Sequence, residues 1–299
     1  MNRPSGINRL RRSMHFVPGA NEKMLHKSIA TNADSLILDL EDAVTPDRKD
    51  EARQIVNDWL GSVDFSRKER SIRINATDTP WWRQDLEVTM QNAPDSYVVP
   101  KVSSLDEIES ISREISKWEA EYNHEPMSVA MVLVSTETPA GALNVSTFAD
   151  CERVVGMTWG AEDLAASLGA PTNRDAANRY LPPFEYCRTM TLLSAVAGEV
   201  QPVDSVYTDF NDDKGLREEC QFAAAMGFTG KLTIHPKQID IVNDAFSPSA
   251  AEIDEAERLV RAFDEAQAEG KMAFSFEGKM VDAPHLNRAR KVLAKVTQS

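Results

Sequence analysis

Cysteine is scarce in this chain: three residues among 299, Cys151, Cys187 and Cys220, odd in number and far apart. No CxxC spacing accompanies them, so neither a disulfide framework nor a zinc site is indicated. The glycine fingerprints of nucleotide folds are also missing. With no GxGxxG and no GxxxxGK[ST], a dinucleotide fold and a P-loop are both unsupported. The absence of a GxSxG elbow speaks against an α/β-hydrolase. No apolar run approaches about 18 residues, and the N-terminal arginines precede no apolar stretch of signal-peptide length. A soluble, cytoplasmic protein with no membrane partner is expected.

Positive charge is in deficit, with 33 Lys and Arg against 47 Asp and Glu for a net charge of -14. A nucleic-acid partner is therefore not expected, because phosphate backbones need clustered basic residues. Two local basic groups, Arg3, Arg9, Arg11 and Arg12 at one end and Arg288, Arg290, Lys291 and Lys295 at the other, read as solvated ends. No internal repeat or low-complexity block interrupts the chain.

What the chain does contain is alternation. Short apolar runs, "SMHFVP", "SLILDL", "SIRIN", "YVVPKV", "SVAMVLV", "RVVGMTW", "DSVYTD" and "GKLTIHP", are separated by segments of helical period. One such segment places Ile108, Ile111, Ile115 and Trp118 on a single face. Eight strand-like runs alternating with helices predict a closed (β/α)8 TIM barrel, class α/β, at a length where such barrels run about 250 residues. A further helix comes after the eighth run. It opens on a serine cap in "SAAEIDEAERLV" and stops at Gly270. The expected division is a barrel with that extra helix over 1–270 and an appended segment over 271–299.

In such barrels the chemistry gathers at the carboxyl ends of the strands. The residues just beyond the apolar runs are Asp39, Glu41 and Asp42, then Arg73, Lys101, Glu137 and Asp163. Two readings stand for Glu137 and Asp163: joint ligands of a hard cation such as magnesium, which often takes only one or two carboxylates, or helix caps and lysine partners. Arg73 is either a fork for an organic carboxylate or an ion-pair partner of Asp39 or Glu41. His235 reads as a packed histidine beside Pro236 and is given no chemistry.

These segments also carry a resemblance. "RRSMHFVPGANEKML", "LILDLEDAVTPDRKDEAR", "RINA", "VPKV", "ETPAGALN", "WGAEDLAASLG", "GKLTIHPKQI" and "GKMVDAPHLNRA" resemble, in order, the citrate lyase β-subunit-like proteins of the HpcH/HpaI aldolase/citrate lyase family. That group includes malyl-CoA, β-methylmalyl-CoA and citramalyl-CoA lyases. The resemblance implies a barrel of the phosphoenolpyruvate/pyruvate type with a C-terminal helical lid, assembled as a homotrimer or hexamer. It implies magnesium, with manganese as a substitute, on Glu137 and Asp163, and the carboxylate of a 2-oxo acid on Arg73. Asp39, Glu41 and Asp42 would orient metal-bound water and the basic residues around it.

Coenzyme A, as part of the substrate, would lie along the barrel mouth against Arg12, Phe16, Lys23, Ile234 and Pro236. Asp282 would be the acid/base, delivered by the lid to a neighbouring subunit, with His285 making a structural hydrogen bond. The implied reaction is reversible Claisen-type cleavage of a 3-hydroxyacyl-CoA to acetyl-CoA or propionyl-CoA and pyruvate or glyoxylate. The alternatives are a malyl-CoA thioesterase, a citrate lyase β-subunit acting on an acyl-carrier protein, and a non-catalytic CoA-binding barrel.

Overall fold

A computed structural model describes residues 3–268 and 270–297. The chain divides into two compact units, Met1–Asp244 and Ala245–Ser299. The first contains eight strands: β1 (Ser13–Pro18), β2 (Ser35–Asp39), β3 (Glu69–Arg73), β4 (Ser96–Val99), β5 (Ala130–Val134), β6 (Val154–Thr158), β7 (Gln201–Asp204) and β8 (Gly230–Thr233). They pair in parallel in sequence order and close through β1 and β8 into a barrel. The predicted α/β barrel is thus the observed fold.

Helices alternate with the strands: α1 (Glu22–Ile29), α2 (Lys49–Ser62), α3 (Trp82–Thr89), α4 (Leu105–Glu121), α5 (Pro139–Asn144), α6 (Ala161–Leu168), α7 (Pro182–Ala197), α8 (Asp213–Met226) and α9 (Pro236–Phe246). Because both faces of each strand are covered, β2, β4, β5 and β6 read as largely apolar runs. Outward residues such as Leu36, Leu38, Ile72, Tyr97 and Leu133 join the helices in the larger core. Ile108, Ile111 and Ile115 of α4 are buried in it as their spacing predicts, and Ser104 caps that helix by accepting the Glu107 N–H.

The lumen is filled by Met14, Ile37, Val98, Val132, Val155, Val203 and Leu232, so it is packed and not a pore. Below them the strand starts are polar. Ser71 bonds Ser35 at 3.0 Å and Ser96 at 2.8 Å, and Glu69 accepts 2.7 and 2.6 Å bonds from the fully buried Arg11. This layer corrects the reading of the first basic group as a solvated end. Arg3 donates to the carbonyls of Val154, Ala149 and Gly198, and Arg12 is held by Asp34. Their guanidiniums close the barrel floor by satisfying buried and half-buried acceptors. In the other group, Arg288, Arg290 and Lys291 are exposed and Lys295 is half-buried.

One strand is displaced from its predicted place. β7 is "QPVD", and the stretch "SVYT" is the loop after it. Pro202 conceals the strand in the sequence, since proline carries no ladder N–H, yet its carbonyl still accepts the Thr229 N–H.

The second unit holds α10 (Ala250–Ala268), the antiparallel pair β9 (Phe274–Phe276) and β10 (Lys279–Val281), and α11 (Ala283–Thr297). Ser249 and Glu252 form a reciprocal capping box at the start of α10. α10 and α11 pack together within this unit, and Phe263 meets Phe274 edge to face at 5.5 Å. The hairpin turn is Glu277–Gly278, with φ of 48° and 81°. The last two positions of 271–299 lie outside the described residues. Among the described residues no helix is long and apolar enough to cross a membrane.

Candidate active site at the carboxyl ends of the strands

Sheet register sets the first contact of the site. Asp39 and Arg73 are the last residues of β2 and β3 and stand opposite each other. Arg73 Nε and Nη2 each donate to an Asp39 oxygen at 2.7 Å, a fork-to-fork pair. The ion-pair reading of Arg73 is therefore realised. Its third nitrogen, Nη1, faces Glu41 at 3.0 Å and Asp42 at 3.4 Å. Phe16, an inward residue of β1, lies under the same guanidinium with its ring centroid 4.7 Å from Cζ.

The turn after β2 is fastened on both sides. Asp39 accepts the N–H groups of Glu41 and Ala43, while the buried Lys49 ammonium donates to the Leu40 and Glu41 carbonyls at 2.7 Å each. Glu41 Oε2 is buried and, despite the nearby Nη1, has no aligned hydrogen-bond donor. Burial raises the Glu41 carboxyl above the ordinary range, with Arg73 and Lys101 opposing. Arg73 itself is pushed up: burial disfavours its charge, but Asp39, Glu41 and Asp42 outweigh it.

Lys101 comes two residues after β4 and adopts a left-handed backbone, φ 53°. Its N–H donates to Glu137 Oε2 at 2.7 Å. Its ammonium lies 2.6 Å from Glu41, 3.3 Å from Asp163 and 3.7 Å from Asp42.

Glu137 comes after β5 and is almost wholly buried. Burial, then the charges of Asp163 and Glu41, push its carboxyl up to about 8, against the pull of the Lys101 N–H and Arg73. Asp163 stands in the first turn of α6, where a carboxylate is favoured by the helix dipole. The residue capping that helix, Gly160, leaves the room Glu137 needs. An added Cβ there would sit 2.5 Å from Glu137 Cγ and 2.8 Å from Oε1.

The donor set decides whether this end suits a hard divalent cation. Asp39, Glu41, Asp42, Glu137 and Asp163 face Arg73, Lys101 and Lys49, five carboxyl groups against three cations. All the donors are oxygens, and Glu41 Oε2 is buried with no aligned hydrogen-bond donor. Among the described residues no three His, Cys, Asp or Glu side chains form a ready-made cage. Magnesium keeps water and often takes only one or two carboxylates, and Glu137 with Asp163 supplies oxygen donors of that kind, so the residues present fit it.

The other predicted residues are spread more widely. Lys23 in the first turn of α1, Ile234 in the loop after β8 and Pro236 at the start of α9 are exposed at this same end. His235 stacks on Phe210 at 5.0 Å, and its Nδ1 accepts the Lys237 N–H. Arg12 is not brought here. It precedes β1, at the opposite end of the barrel, and the structure corrects its expected place at the mouth. In the second unit, Asp282 Oδ1 lies 2.6 Å from His285 Nδ1, both side chains being about half-exposed. Two surface hollows, of about 280 and 250 Å³, lie elsewhere, one lined by Arg9, Lys68, Arg70 and Asp95 and the other by His26 and Trp59.

Sequence reasoning missed Gly160 and Lys49. A glycine between a strand end and an acid is a readable sign of close approach, whereas nothing local distinguishes Lys49 from a solvated helix residue.

This arrangement meets the known proteins along nearly its whole length. The model of the HpcH/HpaI aldolase/citrate lyase family matches residues 12–236. The chain belongs to that family. It is 38% identical over 287 residues to the (3S)-malyl-CoA thioesterase of Cereibacter sphaeroides, spanning 95% of this chain and 94% of that one. It is 35% identical over 299 residues to the mitochondrial citramalyl-CoA lyase of Rattus norvegicus, spanning 96% and 86%. A crystal structure of CitE from Mycobacterium tuberculosis, in complex with magnesium, acetoacetate and coenzyme A, matches with a TM-score of 0.79 at 33% identity, over 97% of this chain and 99% of that one. Membership makes the chain an enzyme of the aldolase and lyase group.

Proposed function

We propose that the chain is a magnesium-dependent CoA-ester lyase that cleaves a malyl-CoA-like or citramalyl-CoA-like thioester reversibly into an acyl-CoA and a 2-oxo acid. The observation that carries this reading is the convergence of the buried Glu137 and of Asp163 on Lys101 at strand ends where acidic side chains outnumber basic ones. Glu137 and Asp163 would hold the cation. When bound, magnesium supplies a Lewis acid for the oxygens of the 2-oxo acid fragment.

The other tasks fall to side chains. Arg73, immobilised by Asp39, offers Nη1 to the substrate carboxylate at an edge where Glu41 and Asp42 now sit. Phe16 under the guanidinium keeps that edge from tilting. In the cleavage direction the carbon–carbon bond breaks, the hydroxyl loses its proton, and the α-carbon of the departing thioester gains one. Asp282 is the proposed donor of that last proton, aimed by His285 and supplied from a neighbouring subunit of a homotrimer or hexamer. Lys23, Ile234 and Pro236 line the proposed path of coenzyme A.

The resemblance to the thioesterase supports a second reading, hydrolysis of the C–S bond. The test is mass spectrometry of products from malyl-, methylmalyl- and both citramalyl-CoA stereoisomers. An acyl-CoA with a 2-oxo acid supports the lyase; free CoA with the intact hydroxy acid contradicts it and supports the thioesterase.

A further inference from the structure

Lys101 is engaged with both candidate metal ligands at once, through different atoms. Its N–H donates to Glu137 Oε2 at 2.7 Å, and its ammonium lies 3.3 Å from Asp163 and 2.6 Å from Glu41. One residue can do both because its backbone is left-handed at φ 53°, a conformation uncommon outside glycine, asparagine and aspartate. In that conformation the N–H and the side chain converge on the same cluster. Strain of this kind persists where the surroundings over-determine it, and here three carboxylates do so.

Position alone gives the ammonium two roles of opposite sign. It cancels part of the repulsion among Glu41, Asp42 and Asp163, which stabilises the cluster of acids. A divalent cation approaching Asp163 meets the same positive charge at close range, in an environment only partly exposed to water. We propose that the Lys101 ammonium competes with the divalent cation for Asp163 and thereby sets how tightly that cation is held; the proposal rests on the reading that Glu137 and Asp163 are the cation's ligands. The amide of the same residue works the other way, holding Glu137 in place for the cation. Lys101 is therefore a positioning residue and counter-ion, and its side chain weakens what its backbone prepares.

The sign separates this role from a merely structural one. A lysine that only braces the fold should, when removed, weaken cation binding or leave it unchanged. Removing a competing ammonium should strengthen it. The measurement is binding of Mn2+ alone to the full-length, metal-stripped protein, tracked by electron paramagnetic resonance of the free ion. Lys101→Gly is the deciding variant, because glycine accepts the left-handed backbone without strain and keeps the N–H to Glu137. An Mn2+ dissociation constant about tenfold lower than that of the unsubstituted protein is expected. An equal or higher constant overturns the proposal.

Lys101→Met retains the side-chain bulk and loses only the charge, and the same tightening is expected. If it fails to tighten, the glycine effect belongs to the backbone and the proposal falls. Failure of the metal reading has its own signature: Mn2+ bound as tightly by Glu137→Gln as by the unsubstituted protein, or bound by neither.

Discussion

Asp39 and Arg73 end adjacent strands at the same register and join through two parallel hydrogen bonds of 2.7 Å. The pair turns a flexible side chain into a fixed edge, with only Nη1 directed at the acids of the β2 turn. Lysine at position 73 keeps the charge and loses the fork. Arg73→Lys should therefore raise KM for the 2-oxo acid in the condensation direction by about 10- to 100-fold, the scale of one or two charged hydrogen bonds. Steady-state kinetics at saturating acyl-CoA measure it, and an unchanged KM removes Arg73 from the substrate site.

Gly160→Ala tests the space that Glu137 occupies. With its Cβ 2.5 Å from Glu137 Cγ, alanine must displace a buried carboxylate. Magnesium affinity should fall about tenfold or more with helix content retained, as calorimetry and circular dichroism would report. Unaltered affinity would mean that Glu137 is not a ligand.

Away from the site, His15 makes stability depend on pH. Burial lowers its pKa to about 4 from 6.5, with a backbone hydrogen bond at Thr233 partly opposing and the His235 charge adding to the lowering. Below pH 6.5 the unfolded chain takes up a proton that the folded chain refuses. Stability is thus full above pH 6.5 and is lost as the pH falls towards 4, by on the order of 3 kcal/mol. Chemical denaturation at pH 7 and pH 4.5 should show a smaller loss in His15→Gln than in the parent; equal losses would remove His15 as the cause.

Asp282→Asn should lower turnover by about 100-fold or more while magnesium binding stays intact. His285→Ala should lower it less, because the carboxylate remains and only its 2.6 Å partner is lost. Full activity in Asp282→Asn would require another acid.

The range of the forces decides how much of this was legible in the chain. β1 was readable to the residue and α4 by its isoleucines, because local periodicity reflects burial on one or both faces. β7 was misplaced because Pro202 breaks the local pattern while the barrel still pairs it. The acids at the strand ends could be found by looking just beyond each apolar run. Of their partners, Asp39 or Glu41 could be named for Arg73 as alternatives, and strand register makes Asp39 the forked one; the fates of Arg11 and Arg12 could not be read, because they depend on Glu69 and Asp34 across the floor. The left-handed Lys101 and the hairpin at Glu277–Gly278 are backbone facts; the second had a turn signal in its glycine, the first had none.

Dependence of carbon–carbon cleavage on a cation held by Glu137 is tested most directly by stripping the protein with EDTA and supplying citramalyl-CoA and malyl-CoA. Acyl-CoA and 2-oxo acid are then quantified before and after magnesium is returned. No cleavage is expected without the cation, and its return should restore cleavage in the parent protein but not in Glu137→Gln. Cleavage that is indifferent to EDTA, or restored equally in Glu137→Gln, would contradict a magnesium-dependent lyase built on Glu137.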